Sequence, residues 1–348
     1  MKAMVLDNWV KNWGSNLKIR EVPVPAIASD EALVRVDWCG VGGTTSNFMK
    51  GLLASGAGIL PRIPGHEVTG TVEKVGKDVR DFSPGDKVAV YFYLFCGRCF
   101  QCLAGRENLC ENFAGFVGIH TDGGYAEMIK VPSRNLFRLP GSLDMRSSTV
   151  ISDAVGTPYH IARERAKIVE GEHVAIIGAA GGVGIHMVQM AKLFRSVVTG
   201  VDIGHDRLTV VSTAGAEFTA DASEKGWENN IFEFTGGKGA DVVIDFVGSE
   251  GSVHSGISIL SRRGRFVEMA MLPEQRIVVE NRKVILSELS IMGSRYCTRQ
   301  DIAESIKLVN DGKIKPIISE ECELEAVENL HERIDERRIV GRGVVKLH

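Results

Sequence analysis

Residues 174–184 read V-A-I-I-G-A-A-G-G-V-G, and a helical segment and the strand-like run S-V-V-T-G-V-D (196–202) follow. The apolar residues 174–177 predict a parallel strand that is buried on both faces. Four glycines lie in the next seven residues: Gly178, Gly181, Gly182 and Gly184. They allow a sharp turn and a helix that starts close to the strand, with its N–H groups available to a pyrophosphate. The stretch therefore predicts the first strand–turn–helix unit of a Rossmann fold that binds a dinucleotide.

An acidic residue ends the second predicted strand. Asp202 lies 18 residues after the last glycine, near the offset of about 20 at which a carboxylate accepts the ribose hydroxyls. We therefore expect NAD, although Arg207 is close enough in sequence to hold the extra phosphate of NADP. The residues expected to contact the dinucleotide are Gly178, Gly181, Gly182, Val183, Gly184, Asp202, Arg207 and Val247.

Length and charge limit the remaining possibilities. A chain of 348 residues with a formal charge of −3 is expected to form two domains. It has no basic run typical of nucleic-acid or anionic membrane binding, and no apolar segment near the ~20 residues that span a bilayer. We expect a cytoplasmic protein that binds neither nucleic acid nor a membrane.

Four of the seven cysteines fall within fifteen residues, spaced C-x2-C-x2-C-x7-C: Cys96, Cys99, Cys102 and Cys110. Four thiolates can close a tetrahedral zinc site that has no open position, which indicates a structural ion. A cubane iron–sulfur cluster is the alternative, but its run ends in a cysteine after three residues and then proline. Here the last gap is seven residues and Glu111 follows. We expect about one structural zinc ion per chain.

The rest of the chain divides into a β-rich part and an alternating part. Residues 1–90 contain short strand-like runs broken by Gly, Pro and Asp, which predicts a small barrel. Residues 147–166 predict one helix that contains Asp153. Further strands are predicted at 241–246, 264–269, 290–293 and 341–347, with a helix at 301–310.

From end to end the chain resembles the zinc-type medium-chain alcohol dehydrogenases, through G-H-E at 65–67, the four-cysteine lobe and the glycine turn. The resemblance implies an α/β protein with a GroES-like β-rich catalytic domain and a Rossmann doubly wound parallel sheet. The implied GroES-like domain comprises 1–153 and 297–348, with a zinc lobe at 95–111, and the Rossmann domain comprises 154–296. It also implies a substrate cleft where the domains meet, and homodimers or homotetramers joined near 284–293.

The same resemblance implies where a catalytic zinc would be bound. In the family it is held by a cysteine, by the histidine of G-H-E and by a residue of the helix that crosses between domains. His66, Glu67 and Asp153 match the second and third positions and form a tentative second metal site. Gly42 stands where the cysteine belongs, and Cys39 lies three residues earlier. A glycine offers no ligand atom, so whether a catalytic zinc binds stays open at this point.

Two further residues match catalytic positions of the family. Thr44 fits a hydroxyl that passes on the substrate proton or donates to the substrate oxygen, and Asn47 falls where a relay histidine often lies. With His66 and Asp153 they are the expected catalytic residues.

The resemblance implies an NAD(P)-dependent oxidoreductase that moves hydride between the nicotinamide and a small alcohol, ketone or aldehyde. A metal-free enoyl or quinone reductase is one alternative, because such enzymes often carry the A-A-G-G-V-G turn seen at 179–184. A dinucleotide-binding protein that has lost catalysis is the other.

Overall fold

The computed structural model describes residues 1–53, 59–270 and 276–348. These residues form two units. Unit 1 comprises Met1–Asp153, Cys297–Gly312 and Pro316–His348, and unit 2 comprises Ala154–Tyr296 and Lys313–Lys315.

Within the described residues the strands alternate with helices only in unit 2. The strands are β1 (Lys2–Leu6), β2 (Leu17–Glu21), β3 (Glu31–Val41), β4 (Val68–Val75), β5 (Lys87–Val90), β6 (Tyr93–Leu94), β7 (Gly115–Phe116), β8 (Met128–Pro132), β9 (Leu136–Arg138), β10 (His173–Ile177), β11 (Val197–Asp202), β12 (Phe218–Asp221), β13 (Ala240–Asp245), β14 (Leu260–Glu268), β15 (Ser290–Gly293), β16 (Ile318–Glu323) and β17 (Arg342–Lys346). The α-helices are α1 (Gly43–Met49), α2 (Phe100–Leu103), α3 (Met145–Ser148), α4 (Gly156–His160), α5 (Gly184–Leu193), α6 (His205–Thr213), α7 (Trp227–Phe234), α8 (Glu250–Ser258), α9 (Asn281–Ser287), α10 (Arg299–Asn310) and α11 (Val327–Asp335).

The main sheet of unit 1 has seven strands in the order β16-β17-β3-β4-β5-β9, with β8 also paired to β3. β16 and β17 run parallel, and the other pairs are antiparallel. In the pairing of β17 with β3, Gly343 lies opposite Val41. This register brings a strand from the C-terminal part of the chain beside the start of α1.

Unit 2 contains one six-stranded parallel sheet in the order β12-β11-β10-β13-β14-β15. In chain order within this unit the strands read 3-2-1-4-5-6, the order of a dinucleotide-binding doubly wound sheet. Apolar side chains such as Ile177, Val201, Val243 and Phe266 fill its core. The expected fold class is therefore confirmed.

The helix predicted at 147–166 is wrong as a single element. The structure has α3, a 3-10 turn at Thr149–Ser152, then α4 and a π-helical turn at Ile161–Arg165. Pro158 explains the break, because its ring would clash with the carbonyl of residue 154 in a continuous helix, and it has no N–H to donate. Pro158 is tolerated in the first turn of α4. Asp153 thus lies between helical segments, with a non-helical φ of −131°.

The strands predicted at 241–246, 264–269, 290–293 and 341–347 correspond to β13, β14, β15 and β17 within a few residues. β12 and β16 were not predicted. No helix among the described residues is long and apolar enough to cross a membrane.

Candidate active site

The glycine turn of unit 2 is shaped by close backbone contacts. Gly178 has a φ of +79°, which favours glycine. A Cβ atom at Gly184 would lie 2.1 Å from the carbonyl oxygen of Gly178, so only glycine allows α5 to begin this close to β10. Val247 packs beside the turn, since its Cγ2 would lie 3.1 Å from a Cβ at Gly178.

Asp202 fixes this turn from the end of β11. Its Oδ2 accepts a hydrogen bond of 2.7 Å from the backbone N–H of Ala180, and its Oδ1 accepts one of 2.8 Å from Ile203. The Nε of Arg207 lies 2.9 Å from Oδ1. The structure therefore brings together the glycine turn, Asp202, Arg207 and Val247, all predicted as cofactor contacts, in one part of unit 2.

The four cysteines of unit 1 converge as expected for a tetrahedral metal site. Their sulfur atoms all lie within 4.8 Å of one another, and two pairs, Cys96–Cys102 and Cys99–Cys110, are 3.9 Å apart. Zn–S bonds of about 2.3 Å give an edge of about 3.8 Å in a tetrahedron. The backbone N–H groups of Arg98 and Cys99 lower the pKa of Cys96 to about 6. This arrangement fits zinc.

His66 is fully buried in unit 1 and is held from two sides. Its Nδ1 lies 2.9 Å from the hydroxyl of Thr45, and its Nε2 lies 3.4 Å from Oδ2 of Asp153. The ring of Phe92 packs against it with centroids 4.8 Å apart. Thr45 and Asp153 therefore hold the two ring nitrogens of His66 and fix the orientation of the ring.

Arg342, which the sequence analysis did not single out, joins this group. Its Nη2 lies 3.0 Å from Oδ2 of Asp153 and 3.2 Å from Oε1 of Glu67. Burial on its own lowers the pKa of a guanidinium, but the carboxylates of Glu67 and Asp153 outweigh burial and raise the pKa of Arg342 above its usual value. We call His66, Glu67, Asp153 and Arg342 the buried charge cluster.

Two glycines leave space for this cluster: Gly40 lies in β3, and Gly42 follows the last residue of that strand. A Cβ at Gly40 would lie 2.4 Å from Oε2 of Glu67. A Cβ at Gly42 would lie 2.1 Å from Nη1 and 2.7 Å from Cζ of Arg342. Gly42 and Arg342 are the next residues beyond the Val41–Gly343 pair of the β3–β17 ladder, so the strand register itself brings the guanidinium to the missing side chain.

The residues of the tentative second metal site do not fit a catalytic zinc ion. His66, Glu67 and Asp153 are brought together, but a guanidinium cation lies among them and no ligand comes from Gly42. Within 1–53, 59–270 and 276–348, the four cysteines are the only group of three or more such side chains whose ligand atoms are placed to hold a metal ion.

The other predicted catalytic residues lie on α1. Thr44 and Asn47 are both half-buried. It is the next residue, Thr45, that is buried and contacts His66. Thr45 lies directly beside the predicted Thr44 in G-G-T-T-S, but which hydroxyl faces inward depends on where α1 begins.

A second buried polar group lies nearby in unit 1. His331 of α11 is hydrogen-bonded at Nδ1 to the hydroxyl of Ser46 at 2.7 Å and at Nε2 to the hydroxyl of Tyr125 at 2.8 Å. Trp13 stacks on its ring. Burial lowers the pKa of His331 to about 3, so the ring is neutral and each nitrogen has a partner.

Two family models match this chain, one in its N-terminal part and one in the part that contains most of the parallel sheet. Residues 28–141 match the alcohol dehydrogenase GroES-like domain family, and residues 182–311 match the zinc-binding dehydrogenase family. An alcohol dehydrogenase from Geobacillus stearothermophilus is 33% identical over 348 residues, which cover 100% of both chains. The chain belongs to the zinc-type medium-chain alcohol dehydrogenase family.

Other relatives show how varied the reactions of this family are. An acryloyl-coenzyme A reductase from Sulfurisphaera tokodaii is 30% identical, covering 99% of this chain and 100% of the relative. The crystal structure of an NAD-dependent alcohol dehydrogenase matches with a TM-score of 0.93 and 29% identity over 100% of both chains.

Proposed function

We propose that this chain is an NAD-dependent oxidoreductase that transfers hydride between the nicotinamide and a small alcohol or carbonyl compound. The observation that carries the proposal is the glycine turn tied to Asp202 through Ala180 at the end of a 3-2-1-4-5-6 parallel sheet. When bound, the nicotinamide supplies the hydride acceptor or donor. Relatives named as alcohol dehydrogenases support the substrate class.

The residues of unit 1 must manage the charge and proton of the substrate oxygen. Oxidation of an alcohol releases one proton as hydride leaves carbon, and reduction of a carbonyl takes one up. We assign the hydrogen-bonding role to Thr44, which is half-buried, and to His66, whose ring is oriented by Thr45 and Asp153. No step of this assignment requires a metal ion.

The proposal is tested by nicotinamide absorbance with a panel of small alcohols, aldehydes and ketones. Turnover that requires substrate, and that falls for both Thr44→Val and His66→Ala, supports it. A folded protein that binds NADH without turning over any panel member would instead be the non-catalytic dinucleotide-binding protein considered from the sequence.

A second candidate reaction is the reduction of an activated C=C bond. The Gly42–Arg342 arrangement favours it, because adding hydride to one carbon and a proton to its neighbour needs no Lewis acid bound at the cluster. The resemblance to an acryloyl-coenzyme A reductase points the same way. A kcat/KM for an enoyl thioester that exceeds the values for all alcohols and ketones would make this the main activity.

For the cofactor we propose NAD in preference to NADP, because the carboxylate of Asp202 repels a 2′-phosphate. Arg207 lies 2.9 Å from that carboxylate, so a phosphate would have to compete with Asp202 for its guanidinium. A lower KM for NADPH than for NADH would contradict the assignment. Arg207→Ala should leave the preference for NADH in place or strengthen it.

We also propose about one structural zinc ion per chain in the four-cysteine lobe. These cysteines form no disulfides, which suits a reducing compartment such as the cytoplasm. Elemental analysis that found no zinc, or iron with sulfide, would contradict this.

Finally, we propose a homo-oligomer that forms through the segment around α9 and β15. β15 ends the sheet of unit 2, and an edge strand can pair with a second copy. Ile277, Val278, Ile285 and Leu286 of this segment are exposed apolar residues. Light scattering should give a dimer or tetramer mass for the wild type and a lower mass for Leu286→Lys.

A further inference from the structure

We infer that Arg342 keeps zinc out of the buried charge cluster and supplies, in place of a metal, the positive charge that binds Glu67 and Asp153. The inference concerns the ion that the cluster holds and is independent of the substrate. It therefore stands or falls separately from the proposed function.

The steric part of the argument rests on Gly42. Any side chain there would begin 2.1 Å from Nη1 of Arg342, well inside contact distance. Arg342 is 5% exposed, and the two valines that follow it in β17 are completely buried. The backbone of β17 is thus fixed beside β3, and the guanidinium fills the space that a metal-binding side chain at position 42 requires.

The electrostatic part rests on the two carboxylates. Glu67 and Asp153 are buried, and both contact the same Nη2 atom. Unpaired charges in such surroundings carry a large desolvation cost, and a single guanidinium between them offsets it. A divalent ion placed in the same cluster would lie within a few ångströms of a permanent cation, at a distance where repulsion is strong in a poorly screened interior.

Asp153 also links His66 to Arg342. Its Nε2 points at Asp153, the residue that Arg342 binds. Arg342 therefore acts through Asp153, whose position sets the orientation of the His66 ring. We therefore describe Arg342 as a positioning residue, which acts on His66 through Asp153.

The experiment compares zinc content and thermal stability in four variants of the full chain: Gly42→Ala, Gly42→Cys, Arg342→Lys and Gly42→Cys/Arg342→Ala. Each is purified, saturated with zinc, freed of loose metal and measured by elemental analysis against the wild type. Gly42→Ala is the matched control for Gly42→Cys, because both add a Cβ but only one adds a ligand.

We expect the wild type and Gly42→Cys to hold the same zinc, about one ion per chain from the cysteine lobe. Gly42→Ala and Gly42→Cys should both lower the melting temperature, by roughly 5 °C, because the added Cβ overpacks against a guanidinium that Glu67 and Asp153 hold in place. Only Gly42→Cys/Arg342→Ala should gain about one further zinc ion and a rise in melting temperature on zinc addition. Arg342→Lys should keep the wild-type zinc content, since it keeps a cation.

Two results would overturn the inference. One is a second zinc ion in the wild type that is lost in His66→Ala. The other is a second ion in Gly42→Cys alone without loss of stability relative to Gly42→Ala. If the double variant does not fold, the comparison of the wild type with the two Gly42 variants still decides between these outcomes.

Discussion

Asp245 and Glu268 lie opposite each other at the carboxyl ends of the adjacent parallel strands β13 and β14. Asp245 accepts hydrogen bonds from the backbone N–H of Val247 at 2.7 Å and from the hydroxyl of Ser252 at 2.7 Å. Glu268 is half-buried, and burial together with repulsion from Asp245 raises its pKa to about 7. Two carboxyl groups therefore share one edge of the sheet that carries the glycine turn.

This pair predicts that the protein loses stability as the pH rises from about 4.5 to about 7. In that window Glu268 stays protonated in the folded chain but ionises in the unfolded one, so the folded state binds more protons and is favoured at the lower pH. Glu268→Gln removes the titration and should flatten the dependence of melting temperature on pH. Glu224→Gln, which changes an exposed carboxylate of the same unit, is the control. Equal slopes for Glu268→Gln and the wild type would contradict the prediction.

The cysteine lobe predicts that the loss of one thiolate removes the zinc ion and lowers thermal stability. Cys102→Ser should remove about one zinc ion per chain and lower the melting temperature, because three thiolates no longer close the site. Cys322→Ser is the matched control, since Cys322 lies in β16, outside the cluster. Elemental analysis and thermal unfolding make the comparison. Equal zinc contents in the two variants would mean that the lobe is not a metal site.

The glycine turn predicts a specific effect on dinucleotide binding. Gly184→Ala places a methyl group 2.1 Å from the carbonyl oxygen of Gly178 and must push α5 away from β10. A cost of about 1–3 kcal/mol corresponds to roughly 5- to 150-fold weaker NADH binding, measurable by fluorescence titration. Gly141→Ala adds a methyl group with no atom within 4 Å and should bind NADH normally. Unchanged affinity in Gly184→Ala would show that the turn does not hold the cofactor.

The hydrogen bond between Thr45 and His66 predicts different effects for two neighbouring threonines. Thr45→Val leaves the buried Nδ1 of His66 without its hydrogen-bond partner, at a cost of about 1–3 kcal/mol in the free energy of unfolding. Thr45→Ser keeps the hydroxyl and should restore most of that loss. Thr44→Val should instead lower kcat at near-normal stability, because Thr44 is only half-buried. Denaturant unfolding and steady-state kinetics separate the cases, and a stable Thr45→Val would refute the assignment.

The features that could be predicted from the sequence are those that local residue patterns determine. The glycine turn, the acidic end of β11 and the cysteine spacing are encoded within a few tens of residues, and the structure brings each set together. The helix predicted at 147–166 is also interrupted for a local reason, because Pro158 cannot continue a helix that begins before it.

Arg342 was out of reach for a different reason. Its place in the cluster depends on the register of β17 against β3, in which Gly343 lies opposite Val41. These two residues are separated by most of the sequence. From the sequence, a cysteine introduced at Gly42 would be expected to raise the zinc occupancy. Only the register shows that the guanidinium lies in the way. The inward-facing hydroxyl of Thr45 depends in the same way on where α1 begins.

The residues of the buried charge cluster lie far apart in the sequence, so the ribosome synthesises the carboxylates well before the arginine. Arg342 lies 275 residues after Glu67, and the whole of β10–β15 is made in between. At about 5–20 residues per second, roughly 15–55 s of synthesis separate Glu67 from the cation that neutralises it. Unit 1 therefore cannot complete its interior on the ribosome before the parallel sheet has emerged, and the nascent chain must hold Glu67 and Asp153 hydrated until β17 arrives.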